Sequence, residues 1–246
     1  MKVLIYGSKG WIGNQFISFL DTKISLLKKQ LKPSFFEYVC GVERLENTEG
    51  LRQEIIREYP THIISFIGRT NGIHEGKQYT TIDYLEQKGR IFENVRDNLF
   101  SPISLALICN ELNIHYTYLG TGCIFNYDEE HPYGKEINGF NETSKPNFFG
   151  SSYSIVKGFT DQLMHQLEQN VLNLRIRMPI NSENFYRNFI TKITNYEKIC
   201  SIPNSMTVLP DFFPIIFDLL LKRQIGTLNL TNPGLISHNE ILEMYK

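Results

Sequence analysis

The chain has 246 residues and a formal net charge of −1, because 25 Lys and Arg residues oppose 26 Asp and Glu residues. A chain so close to neutral does not have the excess of positive charge by which nucleic-acid-binding proteins attract phosphates. We therefore expect no nucleic-acid partner. Apolar runs are too short to cross a bilayer and no signal peptide opens the sequence, so we expect a cytoplasmic protein without membrane contact. Hydrophobic residues, 41% of the chain, suffice for one large α/β domain with a smaller appendage.

The first predicted element is a strand over residues 2–6, followed by a glycine-rich turn and a helix. Three glycines follow the strand at a G-x-x-G-x-x-G spacing. Such a turn lets backbone N–H groups approach a pyrophosphate, and the positive end of the helix dipole favours its charge. The motif therefore predicts dinucleotide binding, and the alternative is a tight turn that serves close packing. The residues expected at the cofactor are Gly7, Lys9, Gly10, Trp11, Ile12 and Gly13.

The end of the second predicted strand, residues 36–40, indicates which dinucleotide is bound. The helix before it carries Leu31 on its apolar side and has Pro33 beyond its end. After the strand come Glu43 and Arg44. An acidic residue there would hold the ribose 2′-OH of NAD, whereas an arginine would pair with the 2′-phosphate of NADP. We favour Arg44 and NADP(H), with NAD(H) as the alternative cofactor and a mixed-charge surface turn as the non-functional interpretation.

Helices and strands continue to alternate as far as residue 178. The apolar run 62–67 is typical of a parallel strand buried on both faces. Ile67 and Gly68 at its end are expected at the cofactor, and 72–81 is predicted to be a loop over the site. The alternation predicts an α/β fold, a Rossmann doubly wound parallel sheet over residues 1–178. The predicted elements are helices at 51–59, 95–112 and 153–167, with strands at 116–119 and 171–178.

Residues 179–246 contain too few apolar runs to form a core of their own, so we expect a smaller C-terminal substrate-binding lid. On the helix at 95–112, Leu99, Ile103, Leu107 and Ile108 are expected to be buried. The histidines and cysteines have no metal-ligand spacing, so no metal is expected. Of the four cysteines, three are predicted to be small core residues: Cys40, Cys109 and Cys200.

Tyr153 and Lys157 carry the strongest chemical signal, because a spacing of four places them one turn apart on one helix face. A lysine ammonium beside the phenol lowers the pKa of a tyrosine, which can then protonate a carbonyl oxygen. Lys157 can also hold the nicotinamide ribose. Thr121, at the carboxyl end of a predicted strand, could bind the same oxygen. Such tyrosine–lysine pairs are common by chance, but together with Thr121 and the glycine turn they predict carbonyl reduction.

These motifs resemble the extended short-chain dehydrogenase/reductase family. Within it, long segments are similar to the nucleotide-rhamnose synthase/epimerase-reductase of plants and giant viruses. The resemblance implies that UDP-4-keto-6-deoxy-D-glucose is epimerised at C3 and C5, then reduced at C4 with NADPH to UDP-L-rhamnose. It also implies a chain that continues beyond residue 246, with the lid incomplete here. The segments are Gly120–Phe125, Lys145–Ser151, Leu174–Ile180, Arg187–Ile193, Ile202–Thr207 and Thr231–Gly234.

The resemblance also assigns the epimerase residues. It makes Cys123 the base and Lys192 the opposing acid, and it makes Asn98 a support for the site backbone. Cys123 lies two residues after Thr121, so both point into one cleft on an extended chain. The alternatives are a buried strand-end cysteine and an exposed helix lysine. Candidate contacts to the nucleotide sugar are Arg69, Thr70, Asn188 and Asn204.

Two other functions stay open at this point. A reductase resembling the deoxythymidine-diphosphate rhamnose branch would leave epimerisation to another protein. A Rossmann module without catalysis would act as a regulatory subunit. A nucleotide-sugar substrate is the expected partner, and a homodimer is the oligomer expected.

Overall fold

The protein is described by a computed structural model over residues 1–29, 36–133 and 138–245. Leu31 and Pro33, predicted near the end of the first helix, lie outside the described residues. Within these ranges the strands are β1 (Lys2–Tyr6), β2 (Glu37–Cys40), β3 (His62–Ser65), β4 (Gly72–His74), β5 (Lys77–Tyr79), β6 (His115–Thr121), β7 (Val171–Ile176), β8 (Pro179–Ile180), β9 (Thr207–Val208) and β10 (Gly226–Asn229). The α-helices are α1 (Trp11–Lys29), α2 (Thr48–Glu58), α3 (Ile91–Val95), α4 (Ser101–Glu111), α5 (Ser152–His165), α6 (Phe189–Ile193), α7 (Leu209–Leu221) and α8 (His238–Tyr245).

Six parallel strands form the central sheet in the order β2-β1-β3-β6-β7-β10. The chain passes from β1 to β2 on one side and then to β3 on the other, so the strand order reverses between β1 and β3. Ligands of doubly wound sheets bind outside the carboxyl ends of the strands at such a reversal. The predicted α/β Rossmann fold is confirmed, and its reversal point lies where the glycine-rich turn leaves β1.

Helices cover both faces of the sheet, which explains why its inner strands are buried along almost their whole length. On one face α1 and α7 pack together, and Phe16 lies fully buried between Phe66 and Phe213, with ring centroids 5.3 and 5.7 Å away. On the other face α2, α4 and α5 form a second core. Packed helices on both faces of the sheet therefore fix the positions of the carboxyl ends of its strands.

The predicted boundary at residue 178 does not coincide with the edge of the sheet. The chain leaves the sheet after β7 and returns with β10, which pairs with β7 in parallel. Helix α7, from the same C-terminal part, completes a main core. A smaller core, the lid core, remains outside the sheet and is centred on Ile193, Met206 and Ile241. Long-range pairing, which no local pattern reports, places β10 in the sheet.

Residues 72–81 form an antiparallel hairpin of β4 and β5 rather than the predicted irregular loop. Glu75 and Gly76 at its tip have φ values of 49° and 78°, as the tight turns of hairpins require. Tyr79 of the hairpin packs against a small cluster that contains Tyr153. The segment thus packs beside Tyr153, and its place over the site stays a prediction.

The helix predicted at 95–112 is interrupted by a π-helical turn at Arg96–Phe100, between α3 and α4. Pro102 follows this turn and has no N–H to donate to the carbonyl of Asn98, four residues earlier. The Thr160 hydroxyl donates to that carbonyl instead, at 2.6 Å. The wider turn also rotates the buried face, so the predicted burial of Leu107 is wrong and its side chain is 46% exposed.

Two of the three cysteines predicted in the core are exposed. Cys109 is buried as expected, but Cys40 and Cys200 lie at the surface. All four cysteines are free thiols. In the described ranges, the helices all fall short of the length and hydrophobicity that a bilayer crossing needs. In the same ranges, no three His, Cys, Asp or Glu side chains are grouped as metal ligands would be.

Candidate active site

The glycine-rich turn is closely packed at the point where the strand order reverses. Gly7 has a φ of 77°, and a Cβ there would lie 2.9 Å from the carbonyl carbon of Phe66, just beyond β3. A Cβ on Gly13 would lie 2.3 Å from the Gly7 oxygen, which accepts a hydrogen bond from the Gly10 N–H at 3.0 Å. Only glycine leaves this cradle open beside the start of α1, so the turn fits a pyrophosphate.

The other predicted cofactor residues surround this cradle. Lys9 is exposed, whereas Trp11 and Ile12 are half-buried in the first turn of α1. Arg44 lies just after β2 with a side chain 69% exposed, and its Nε donates to Glu46 at 2.5 Å. This position suits an arginine that meets a phosphate at the sheet edge. Ile67 follows β3, and its N–H donates to the Ser65 hydroxyl at 3.3 Å.

Asn98 fastens the backbone that follows Gly68. Its Oδ1 accepts from the Arg69 N–H at 2.8 Å, and its Nδ2 donates to the Arg69 carbonyl at 2.9 Å. The same Nδ2 donates to Asn94, whose own amide donates to Ser152, both at 2.8 Å. The loop after β3 is thus tied to the first turn of α5. Asn98 thus holds the backbone of Arg69 in place, and its role in the site, which the family resemblance implied, stays a prediction.

Helix α5 holds Tyr153 at its start. The Ser151 hydroxyl accepts from the Ser154 N–H at 3.0 Å, and the Glu86 carboxylate accepts from the Ser152 N–H at 3.1 Å. A serine cap and a carboxylate both stabilise the positive end of a helix. They fix the turn that carries Tyr153 opposite the end of β6.

Tyr153 is a buried phenol that forms a hydrogen bond with Thr121. Burial raises the pKa of Tyr153, the Cys123 sulfur adds to the increase, and a hydrogen bond with Thr121 opposes it. The shift is opposite to the one expected from Lys157, because the lysine contacts a different phenol. Lys157 Nζ donates to the hydroxyl of Tyr118 and lies 4.5 Å from the centroid of its ring.

Lys157 is buried, and burial disfavours the charged form of its amine. Burial lowers the pKa of Lys157 to about 8, while Asp161, one turn further along α5, and the Cys123 sulfur oppose this decrease. The predicted spacing therefore places Tyr153 and Lys157 in the same site without direct contact. The lysine acts electrostatically on its surroundings from beneath the cleft.

Cys123 and Lys192 reach the same cleft from different parts of the chain. The Cys123 N–H donates to the Thr121 hydroxyl at 3.1 Å, so the two residues are held together after β6. Lys192 lies on α6, where burial lowers its pKa, Arg187 lowers it further and the Cys123 sulfur opposes the decrease. A lysine with a lowered pKa gives up its proton readily. The Cys123 sulfur and Lys192 are thus near enough to influence each other electrostatically.

A cavity of about 640 Å³ opens beside this cleft at the carboxyl ends of β6, β7 and β10. Its lining combines aromatic rings with amide side chains. The wall nearest the cleft is Arg177, whose Nη1 donates to the Cys123 sulfur at 2.6 Å and whose Nη2 donates to Asn204 at 2.9 Å. Its other aromatic and amide side chains include those of Phe125, Asn126, Tyr127, Asn138, Phe140, Asn229 and Asn232.

Of the four predicted nucleotide-sugar contacts, Asn204 lines the cavity, whereas Arg69 and Thr70 follow β3 at the sheet edge. Asn188 is 2% exposed and caps α6, and its amide donates to the carbonyls of Asn181 at 2.8 Å and Glu183 at 2.7 Å. Its hydrogen-bonding groups are engaged within the chain. The structure therefore places Asn188 as a support of the lid.

Sequence reasoning missed Arg177, Glu86 and Asn94. Arg177 could have been noticed, because two arginines at a spacing of two in the apolar strand Leu174–Met178 each need a partner in the interior. Glu86 and Asn94 carry no such signal. Only the fold brings them to the start of α5.

No family model matches the chain. It is 50% identical over 246 residues to protein L780 of Acanthamoeba polyphaga mimivirus, covering 100% of this chain and 79% of L780. The crystal structure of the L780 UDP-rhamnose synthase superposes with a TM-score of 0.85 over 99% of this chain and 79% of that one.

A plant relative is similar over the same span. The bifunctional dTDP-4-dehydrorhamnose 3,5-epimerase/dTDP-4-dehydrorhamnose reductase of Arabidopsis thaliana is 40% identical over 244 residues, which is 99% of this chain and 74% of that protein. A trifunctional plant enzyme that adds a UDP-glucose 4,6-dehydratase is 41% identical, but this chain spans only 34% of it. Site and comparisons agree, and the chain belongs to the nucleotide-rhamnose synthase family of epimerase-reductases.

Proposed function

We propose that the protein converts UDP-4-keto-6-deoxy-D-glucose to UDP-L-rhamnose, acting as a 3,5-epimerase and as an NADPH-dependent 4-ketoreductase. The observation that carries this proposal is the convergence of Cys123 and Lys192 on the cleft of Thr121 and Tyr153. Relatives that align with nearly the whole chain have names stating the same two activities or UDP-rhamnose synthesis.

The first reaction uses the acidity that a C4 ketone gives to the protons at C3 and C5. Cys123 removes such a proton as a thiolate, and the electrons move onto the ketone oxygen. Thr121 and Tyr153 hold that oxygen as an enolate, the usual role of donors aimed at a developing negative charge. Lys192 returns a proton to the opposite face of the carbon, which inverts it.

The second reaction needs a dinucleotide, and the residues present fit one. The glycine cradle would hold the pyrophosphate, Arg44 the 2′-phosphate and Lys157 the nicotinamide ribose. When bound, NADPH supplies the hydride that reaches C4. Tyr153 gives its proton to the C4 oxygen, and its raised pKa keeps the phenol protonated near neutral pH, as a proton donor must be.

The nucleotide part of the substrate is assigned to the cavity and the adjoining sheet edge. Arg69, Thr70 and Asn204 supply donors of the kind that pyrophosphate and uracil accept. Asn188 acts indirectly, by holding the start of α6 and therefore Lys192 in place. The four free thiols are typical of a reducing compartment, so we assign the protein to the cytoplasm.

Incubation with UDP-4-keto-6-deoxy-D-glucose and NADPH in deuterium oxide tests the function. We expect UDP-L-rhamnose with deuterium at C3 and C5, identified by chromatography and mass spectrometry. Cys123→Ala should stop deuterium entry while sparing reduction of the already epimerised ketone. Product without deuterium would indicate a reductase alone, and a lack of any turnover would indicate a regulatory module.

The nucleotide requires a second arm, because the Arabidopsis relative is named for dTDP-linked sugars. The same assay with dTDP-4-keto-6-deoxy-D-glucose compares the two carriers. A higher kcat/KM for the UDP-sugar supports the proposal, and a higher value for the dTDP-sugar contradicts it.

We assign a homodimer to this protein, formed through the exposed sides of α3, α4 and α5. These helices lie side by side and expose the large apolar side chains of Phe92, Leu107, Phe159 and Leu163. A patch of this kind can meet its own copy across a two-fold axis. Light scattering should give a dimeric mass for the wild type and a monomeric mass for Phe159→Asp, with Phe149→Asp as an exposed control outside these helices. A monomeric wild type would contradict the assignment.

A further inference from the structure

Arg177 is a cation without a carboxylate partner, beside the proposed base. Its Nη1 donates to the Cys123 sulfur at 2.6 Å and its Nη2 to Asn204 at 2.9 Å. Within the described ranges, Arg177 takes part in no ion pair with Asp or Glu. The sulfur is the group beside it that can carry a compensating negative charge.

Arg175, two residues earlier and near the end of β7, shows how an arginine is paired in the interior of this fold. Its guanidinium pairs with the Asp161 carboxylate through Nε at 2.8 Å and Nη2 at 2.7 Å. Interior cations need such a partner, because desolvation is costly. Arg177, which is only partly buried, has a thiol where Arg175 has a carboxylate.

The position of Arg177 is fixed from both ends. Its N–H donates to the Thr207 hydroxyl at 2.9 Å, and that hydroxyl donates to the Leu230 carbonyl at 2.7 Å. At the far end, Asn204 is held by two backbone hydrogen bonds to Ile236, at 2.9 and 3.0 Å. Two contacts therefore hold the Arg177 guanidinium against the sulfur: the bond from its backbone, just after β7, to Thr207, and the side-chain bond to Asn204.

Other ionisable groups around Cys123 do not supply the same contact. Tyr153 and Lys157 face it from α5, and Lys192 faces it from α6, all through electrostatic interactions without a hydrogen bond to the sulfur. Tyr84, from the turn after the hairpin, packs in the same cluster. Among the residues that the structure describes, Arg177 is therefore the cation that donates a hydrogen bond to the sulfur.

We propose that Arg177 is the positioning residue that keeps Cys123 as a thiolate, and that Asn204 aims its guanidinium. The inference rests on the proposed function, in which Cys123 is the base of the epimerase reaction. An arginine in contact with a thiol favours the ionised sulfur, because the positive guanidinium stabilises the thiolate but not the neutral thiol. The thiolate then exists before substrate binds.

Alkylation of Cys123 by iodoacetamide, followed across a pH series by peptide mass spectrometry, tests the inference without any substrate. The exposed Cys40 serves as the internal reference in every sample. In Arg177→Gln the Cys123 reaction should slow at least tenfold near neutral pH, and its profile should move to higher pH, while Cys40 is unchanged. In Arg177→Lys, which keeps the positive charge, the rate of Cys123 alkylation should lie between those of the wild type and of Arg177→Gln. Superimposed wild-type and Arg177→Gln profiles would overturn the inference.

A second readout remains if Arg177→Gln does not fold. In the wild-type chain the Cys123 profile should reach half its maximal rate at a lower pH than the Cys40 profile, and Asn204→Ala should narrow that difference. Coincident wild-type profiles would overturn the inference. Low-pH alkylation of Cys123 together with a wild type that exchanges no deuterium would instead refute the proposed function and leave the thiolate assignment standing.

Discussion

Thr160→Val removes the hydrogen bond that replaces a missing backbone donor beneath the site. Thr160 is fully buried, and its hydroxyl donates to the Asn98 carbonyl at 2.6 Å, the carbonyl that Pro102 cannot reach with an N–H. Valine has the same shape but leaves this buried carbonyl without that donor. The cost is about 1–3 kcal/mol of unfolding free energy. In a chain of this size, each kcal/mol lowers the melting temperature by roughly 2–4 °C.

Calorimetry or thermal circular dichroism of four variants tests this reasoning. Thr160→Ser keeps the hydroxyl, so it should lose no more than the burial of one methyl group, about 1 kcal/mol. Pro102→Ala restores an N–H, so it should recover part of the loss when combined with Thr160→Val. The reasoning is refuted if Thr160→Val is as stable as Thr160→Ser, or if Pro102→Ala has the same effect in both backgrounds.

Four further outcomes are expected. Gly13→Ala places a Cβ 2.3 Å from the Gly7 oxygen, so the Kd for NADPH should rise at least about tenfold in fluorescence titrations. Tyr153→Phe should slow NADPH oxidation with the epimerised ketone by about 10²–10⁴-fold, since the proton donor is lost. Asn188→Ala should cost about 2 kcal/mol in chemical denaturation and speed hydrogen exchange in α6, because a cap and two buried hydrogen bonds disappear. Burial lowers the pKa of His62 to about 3. Between about pH 6.5 and 3 this histidine is therefore protonated in the unfolded chain but not in the folded chain. The free energy of unfolding should accordingly fall as the pH falls through that range. The slope is about 1.4 kcal/mol per pH unit, and His62→Gln should remove it from urea denaturation curves.

Each of these outcomes has a control or a contradicting result. Gly139→Ala has open space around the added Cβ and should bind NADPH normally. Equal turnover in Tyr153→Phe and wild type would remove the phenol from the reaction. Unchanged exchange in α6 of Asn188→Ala, or the same pH dependence in His62→Gln and wild type, would contradict the roles given to those two buried side chains.

Local patterns were sufficient for the scaffold of this protein. The strand Lys2–Tyr6 lies where the apolar pattern predicts it, because its immediate neighbours in sequence determine it. The glycine spacing likewise predicted the turn at the point where the strand order reverses. These features depend on short-range backbone chemistry, which a single sequence contains.

Other features depend on contacts between distant residues and escaped prediction. The π-helical turn before Pro102 depends on Thr160, and the place of β10 in the sheet depends on β7. The pKa of Tyr153 could not be predicted from a lysine four residues away, because that lysine turns towards Tyr118. The roles of Cys123 and Lys192 stay predictions, which came from family resemblance rather than from spacing.

The parallel pair of β8 and β9 joins the two ends of the segment that lies outside the central sheet. Pro179 pairs with Thr207 and Ile180 with Val208, so the chain departs and returns at one place beside the sheet. The loop between these two strands is short, so closing it costs little conformational entropy. Separation of β8 from β9 need not break the hydrogen bonds between β7 and β10. Residues 181–206 can therefore shift without breaking the pairing of the central sheet, whereas the hydrogen bond from Arg177 to Asn204 ties this segment to Cys123.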